Sequence, residues 1–497
     1  MSNINKEVVM KETIANIILI GCGPHANRIY LPILKQLEQE GKANLCLIVE
    51  LESKKEEVFN RLEKFSIAPE LLFIESFKNS LPTDLEDYLT DYIESNNING
   101  VIIATEPLVH KPYASFMLDA GINILMDKPI TTRENVVTCI DSAKLILADY
   151  EYLLERYNSS CGNNVFIVNT QRRFHPGFRF AINLIKEVSN ITNCPITSIQ
   201  AYHCDGQWRF PNEIVSQKYH PYCTGYGKAS HSGYHIFDII NCLYSSSISN
   251  MKCADSMEVV SSFVQPDGFI KQVGEEDYKN ILPEIDNGNT NIWPTENEIK
   301  DFSNYGELDL SSIITLKKEN INVANFSINL IHNGFSMRTW VQPGTDLYKG
   351  NGRVKHESYN IQQGPFQNVQ IHSYQSNDNH DGMTCLDGDL GGNNHFDIIV
   401  YRNPLIASTK KSMEFYNIND ILKQMEQGTT KEVLTESVKY KVVRDFISYI
   451  NGTLSREDIK SHLDEHLFSV QIMSSIYQSH IKRTQSEDCI VKTKIFE

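Results

Sequence analysis

Two short apolar runs, Val101-Ile102-Ile103-Ala104 and Ile122-Asn123-Ile124-Leu125-Met126, constrain the fold of this chain more than any other feature. Such runs lack the polar alternation of a strand with one wet face, so they read as strands covered on both sides. Strands of that kind lie in parallel sheets, whose neighbours are joined by a crossover, usually a helix. A helix-length stretch, 108–120, lies between them, and the segment is a β-α-β unit. Ligands on such sheets gather beyond the carboxyl ends of the strands. Thr105, Glu106, Asp127 and Lys128 emerge there. A lysine in that place is badly sited for packing and well sited for chemistry.

Upstream, Ile17 to Ile20 forms another such run and leads directly into Gly21-Cys22-Gly23-Pro24-His25-Ala26. Ile29, Leu31, Ile33, Leu34 and Leu37 then recur at helical spacing. Strand, glycine turn and helix in this order give Gly-x-Gly-x-x-Ala its mechanism. Gly21 permits the turn, Gly23 lets the backbone approach a pyrophosphate, and Ala26 keeps helix and strand close. Free N–H groups at the helix start, around Pro24 and His25, suit an anion. The next strand, Leu45 to Val49, ends in Glu50, whose carboxylate can accept ribose hydroxyls and would repel a 2′-phosphate. NAD is therefore favoured over NADP, while Lys54 and Lys55 leave NADP open.

A length of 497 residues exceeds one ordinary core, and 41% hydrophobic with 22% charged residues is a globular composition. Two domains are expected, 1–157 and 158–497, with the hinge in the polar cluster Asn158 to Asn164. The net charge of −16, without a basic run, argues against a nucleic-acid or anionic-membrane partner. No signal-like N-terminus and no membrane-length apolar run is present, and eleven scattered cysteines without a Cys-x-x-Cys pair fit reduced thiols. A cytoplasmic protein is expected.

The helical pattern of 132–157 closes the first domain. Beyond it, β-rich runs at 165–169, 196–203, 257–264, 311–317, 322–331 and 396–401 predict a sheet with few helices. Two polar stretches, 266–308 and 344–394, read as insertions over a binding face. Amphipathic helices within 432–482 close the chain, marked by Val438, Val442 and Phe446, then by Leu463, Leu467 and Val470.

Taken together, Gly-x-Gly-x-x-Ala at 21–26, Ala104-Thr105 with His110, and Asp127-Lys128-Pro129 resemble the glucose–fructose oxidoreductase, inositol dehydrogenase and rhizopine catabolism family. Arg173-Phe174-His175-Pro176 and Gly225 to Asp238 fit the same resemblance. It implies an α/β protein, with a Rossmann domain followed by an α+β domain whose mostly antiparallel sheet is open-faced. It also implies substrate in the cleft between the domains, and a homodimer or homotetramer. Relatives mostly act on a secondary alcohol or ketone of a sugar, cyclitol or nucleotide sugar. Lys128 matches the lysine that touches both substrate hydroxyl and nicotinamide, and His235 the histidine that carries the hydroxyl proton.

The chemistry wants such a pair, because hydride loss from a carbinol leaves a developing ketone that needs a base for its proton and a cation for its oxygen. One departure stands out: relatives usually carry Asp four residues before the histidine, and this chain carries His231. Two imidazoles on one helical turn repel when both are charged. His231 and His235 also share zinc-site spacing, with Asp238 one turn on. No third ligand is identifiable, so no metal is expected. Asn377 to Gly388 opens like a calcium loop but lacks its final Glu.

Before this helix, the stretch from Tyr202 to Tyr222 mixes aromatic and hydrogen-bonding groups suited to a sugar, with Trp208, Arg209 and Tyr222 as candidate contacts. Arg173 and His175 either line the same site or cap the first strand of the second domain. An NAD(P)-dependent oxidoreductase acting on a sugar-like alcohol is the leading expectation. A glycosidase working by transient oxidation on bound NAD, which the altered His231 suggests, and a non-catalytic NAD-binding regulator are the alternatives.

Overall fold

The computed structural model describes residues 13–495 apart from 66–67, 161, 250–251, 283–290, 339–351, 377–394, 407–410 and 426–433. The chain divides into two compact units, the first comprising Met1–Thr131, Asp149–Phe174 and Thr435–Glu465, the second Thr132–Ala148, His175–Leu434 and His466–Glu497.

The first unit is built on six parallel strands: β1 (Ala15–Ile20), β2 (Ala43–Leu51), β3 (Glu70–Ile74), β4 (Gly100–Ile103), β5 (Asn123–Asp127) and β6 (Phe166–Asn169). Their order, β3-β2-β1-β4-β5-β6, reverses direction at β1, the switch point where such sheets bind dinucleotides. Successive residues of β1 point to opposite faces, yet Ile17, Ile18, Leu19 and Ile20 are all fully buried, as the unbroken apolar run requires. One face is covered by the helix Tyr30–Gln39 through Leu31 and Leu34, and by the helix Leu434–Ile450 through Val438, Val442, Val443, Phe446 and Ile447. Each such side chain contributes about 1.5–3 kcal/mol by leaving water.

That second helix corrects the expected boundary at 157/158, which placed everything after it in the second domain. The chain in fact passes between the units after residues 131, 148, 174, 434 and 465. The amphipathic pattern of 434–450 showed that the helix has an apolar stripe, and said nothing about which core the stripe covers.

Among the described residues the second unit holds nine strands: β7 (Ser198–Cys204), β8 (Ser256–Val264), β9 (Asp309–Lys318), β10 (Ile321–Ile331), β11 (Val354–Gln363), β12 (Gln367–Ser376), β13 (His395–Arg402), β14 (Met413–Tyr416) and β15 (Val491–Lys494). Their order is β14-β13-β12-β11-β7-β10-β9-β8-β15, antiparallel throughout except for β7 beside β10. Helices Pro176–Thr192, Tyr234–Ser245 and Leu467–Thr484 pack on one face. The other face is open, with Asn325, Ser327 and Asn329 exposed along β10.

The expected insertion at 344–394 is corrected in its middle, where β11 and β12 form a hairpin inside the sheet. Glu357, Gln363 and Ser373 occupy inward positions there, so hydropathy alternation does not reveal the strands. The calcium-like run at 377–388 lies outside the described residues. Among its described residues the stretch 266–308 carries the short helices Pro266–Gln272, Glu275–Ile281 and Glu296–Asp301.

Candidate active site

In the first unit the glycine turn has the geometry its motif requires. Gly21 has a φ of +91°, and a Cβ there would lie 2.6 Å from the Ala104 carbonyl oxygen, so only glycine lets β1 turn past β4. A Cβ on Gly23 would meet nothing within 4 Å, which leaves open room directly above the turn for a pyrophosphate. Pro24 opens the helix Pro24–Arg28, where it costs no hydrogen bond, and Ala26 is fully buried against the sheet. Glu50 accepts the Cys22 N–H at Oε2 (2.8 Å) and the Leu51 N–H at Oε1 (2.9 Å), which fixes the carboxylate beside the turn with lone pairs left for ribose hydroxyls. Of the nearby cations, Lys55 pairs with Glu52 at 3.0 Å, and Arg61 pairs with Glu57 at 2.7 Å while its Nη1 donates to the Cys22 carbonyl in the turn at 2.5 Å. The residues present fit a dinucleotide, and Glu50 fits the ribose of NAD.

Lys128 follows β5 directly and is half-buried. Asp127 before it accepts Tyr30 Oη–H at 2.5 Å and Asn169 Nδ2–H at 3.1 Å, and His25 Nε2 lies 3.8 Å away. Burial raises the Asp127 carboxyl, with Tyr30, Lys439, Lys128 and Asn169 pulling the other way. Asp127 is thus a strut that anchors the base of the lysine.

His110, expected to meet the cofactor, does something else. It is fully buried, with Nδ1 2.9 Å from the Pro129 carbonyl and Nε2 3.3 Å from the Thr105 carbonyl. Burial holds its pKa at about 4, so the ring is neutral. It ties the loop after β4 to the loop after β5, and its link to any cofactor runs through the half-buried Thr105 and Lys128. Glu106, on the same loop, is exposed.

In the second unit the helix-covered face of the sheet changes character along β7. Ile199 sits in register with Ile361 and Phe326, and Ala201 with Tyr359 and Ile328. The next inward residue, His203, is flanked by Glu357, and Glu357 in turn by Ser373. Asp205 follows. Over this polar end runs a π-helical turn, Ala229–Gly233, leading into the helix Tyr234–Ser245. Lys228 is buried with Nζ bonded to Asp205 Oδ2 and 3.1 Å from His203 Nδ1. Asp205 also receives Arg353 Nη2 at 3.2 Å and Ser232 Oγ–H at 3.3 Å. Burial by itself would raise the Asp205 carboxyl, but Lys228, His332, His203 and Arg353 hold it well below the usual carboxylate range.

The turn carries His231, and the helix it leads into carries His235. His231 is buried among rings, 4.6 Å from His220 and 5.3 Å from both Tyr222 and Tyr226. His235, one turn on, is half-buried. Asp238, one turn on from His235, lies 3.1 Å from His466 Nδ1, and both side chains are fully buried.

The remaining expected contacts divide. Arg173 is spoken for: it is buried and ion-paired to Glu465, 292 residues on, so its expected substrate contact is corrected to an internal clamp. His175 caps the helix Pro176–Thr192 by accepting the Gly177 N–H at 3.2 Å, and stacks on Phe396 at 4.7 Å, so it too acts as a cap. Trp208 packs with Tyr278, Ile292 and Trp293 from the 266–308 stretch. Arg209 is buried and donates Nε–H to Gln207 at 3.2 Å. Tyr222 is buried with its hydroxyl 2.9 Å from His332 Nδ1. Lys228, Glu357, His332 and Tyr226 were missed. A usable signal existed in β7, whose inward positions run Ile199, Ala201, His203, with Asp205 just beyond its end, apolar and then polar.

Residues 15–146 match a family described as an oxidoreductase family with an NAD-binding Rossmann fold. No curated protein matches the chain. Among solved structures, levoglucosan dehydrogenase in complex with NADH and levoglucosan aligns with a TM-score of 0.56 and 13% identity, covering 98% of this chain and 100% of its own. An NAD binding oxidoreductase from Klebsiella pneumoniae aligns at 0.54 and 11% identity, covering 98% and 100%. A 3-ketoreductase from Actinomadura kijaniata, in complex with NADP and TDP-benzene, aligns at 0.51 and 13%, covering 93% and 97%. At these identities the alignments show a common fold.

Proposed function

We propose that this chain, whose residues 15–146 match an oxidoreductase family with an NAD-binding Rossmann fold, moves a hydride to or from a secondary alcohol or ketone of a sugar, cyclitol or nucleotide sugar. The observation that carries the reading is the Gly21–Ala26 turn, closed on the Ala104 side and open above Gly23. The bound nicotinamide supplies the hydride acceptor.

The chain's own groups do the rest. Lys128, set at the end of β5 by the Asp127 anchor and the His110 tie, steadies the negative charge that develops on the substrate oxygen. His235 takes the hydroxyl proton, or returns it in the reverse direction. The polar end of the inner sheet face, with His203, Asp205 and Glu357, provides donors and acceptors for further hydroxyls, and Trp208, Arg209 and Tyr222 border it. That a levoglucosan dehydrogenase and a 3-ketoreductase share the fold supports this reading.

The test is a panel of polyols, aldoses and nucleotide sugars with NAD or NADP, followed at the absorbance of the reduced nicotinamide. Lys128→Ala should lower turnover by roughly 10²–10³-fold, a charge-stabilising group's share, while nucleotide affinity changes little. Equal loss of both would remove the assigned role. Hydrolysis of aryl glycosides without added cofactor would move the reading to the glycosidase that His231 suggests.

A further inference from the structure

Glu307 lies at the end of the 266–308 stretch, fully buried, with a carboxyl aimed at the start of the histidine turn. Its Oε1 accepts the Ala229 N–H at 2.6 Å and the Tyr477 hydroxyl at 3.1 Å, and its backbone carbonyl accepts the Lys228 N–H at 2.8 Å. Tyr477 Oη is 2.9 Å from Ser230 Oγ, and Ser230 Oγ is 3.1 Å from Thr132 Oγ1, so one chain of hydroxyls runs from Thr132 to the carboxyl.

The backbone repeats the contact. A Cβ on Gly306 would lie 2.0 Å from the Tyr226 carbonyl oxygen, and one on Gly227 would lie 2.2 Å from the Glu307 carbonyl oxygen. Two glycines therefore let segment 306–307 lie directly against 226–229. Oε2 has no hydrogen-bond partner among the described residues, and burial pushes the carboxyl up to about 7. Tyr477 and Tyr222 are the titratable groups that feel its charge.

A π-turn has poorer intrinsic stability than the α-helix it interrupts, and such turns persist where the surroundings specify them. Here the N–H groups at the turn's entry are satisfied from outside, by Glu307. We propose that Glu307 is a positioning residue, whose carboxyl and backbone, with Tyr477, Ser230 and Thr132, hold the entry of the histidine helix in its π form and so place His231 and His235. Its importance for turnover rests on the hydride-transfer reading; its structural part does not.

The experiment needs neither cofactor nor substrate. Diethyl pyrocarbonate modification of the full-length chain is followed by peptide mass spectrometry, with the exposed His372 as internal control. Glu307→Ala should raise the modification rate of His231 and His235 roughly tenfold by loosening the turn, with His372 unchanged. Glu307→Gln keeps an Oε1 acceptor and should return the parent rates. If the alanine variant fails to fold, Tyr477→Phe, which removes one donor to the carboxyl, should give an intermediate rise. Rates at His231 and His235 within about twofold of the parent in a folded Glu307→Ala or in Tyr477→Phe would overturn the proposal, as would a glutamine variant that behaves like alanine.

Discussion

The Trp208–Phe210 segment that borders the proposed substrate site is held by one buried ion pair, which makes a sharp test of how that site is built. Arg338 and Glu213 meet through two bonds, Nη1 to Oε2 at 2.7 Å and Nη2 to Oε1 at 2.8 Å, with side chains 1% and 2% exposed. Arg338 Nη1 also donates to the Trp208 carbonyl at 2.8 Å, its Cζ lies 3.9 Å from the Phe210 ring centroid, and Glu213 Oε2 accepts the Phe210 N–H at 2.9 Å. Glu213→Ala deletes two charge-assisted bonds worth about 1.5–3 kcal/mol each and strands a guanidinium away from water. The expected loss is about 3–5 kcal/mol. Replacing both partners, Glu213→Leu with Arg338→Met, removes the desolvation of both ions and takes these partners from the Trp208 carbonyl and the Phe210 N–H, a loss of about 1–3 kcal/mol. Urea unfolding read by tryptophan fluorescence suits the comparison, because Trp208 and Trp293 pack in the second unit. A single-variant loss below about 1 kcal/mol, or a double-variant loss equal to the sum of the singles, would refute the reasoning.

Gly21→Ala should abolish tight nucleotide binding and destabilise the first unit, since the new methyl meets backbone at 2.6 Å with φ at +91°; unchanged NADH fluorescence titration would refute it. Glu307 has its folded pKa raised from 4.5 to about 7, so the native state holds the proton longer and stability falls as pH rises across that window. Glu307→Gln has no such slope: its thermal midpoint should match the parent near pH 5 and exceed it at pH 8, by an amount corresponding to up to about 3 kcal/mol. His480 has the opposite sign. Buried, stacked on Phe263 at 4.1 Å and lowered to about 4, it stays neutral when folded and destabilises the protein as pH falls from 6.5 towards 4. His480→Phe should flatten that acid limb, and parallel pH–Tm curves for parent and variant would show that another group controls it.

Much of the first unit was legible because its signals are local. The apolar runs of β1, β4 and β5, the glycines at 21 and 23 and the acid at Glu50 each act through neighbours close in the chain or through a repeating strand period, so hydropathy and spacing suffice to place them. Lys128 could be located for the same reason, as the residue that must follow a buried strand. His235 and His231 were singled out through a motif, and the π-turn that carries His231 and leads into the helix of His235 had no signature of its own.

What the tertiary structure decided concerns pairings between distant segments. His110 became a tie between two loops and Arg173 a clamp on Glu465, because burial makes polar side chains find partners wherever the fold delivers them. The helix Leu434–Ile450 joined the first core although it lies far along the chain, since an apolar stripe specifies only that it must be covered. β11 and β12 were hidden because their inward positions include Glu357, Gln363 and Ser373 where hydrophobic residues are expected. The residues of 21–26 by themselves pointed to a nucleotide, through the steric freedom of glycine at a turn between strand and helix. Which groups surround the histidines, and that Glu307 holds their turn, followed only from folding, because those contacts join residues 78 to 170 positions apart.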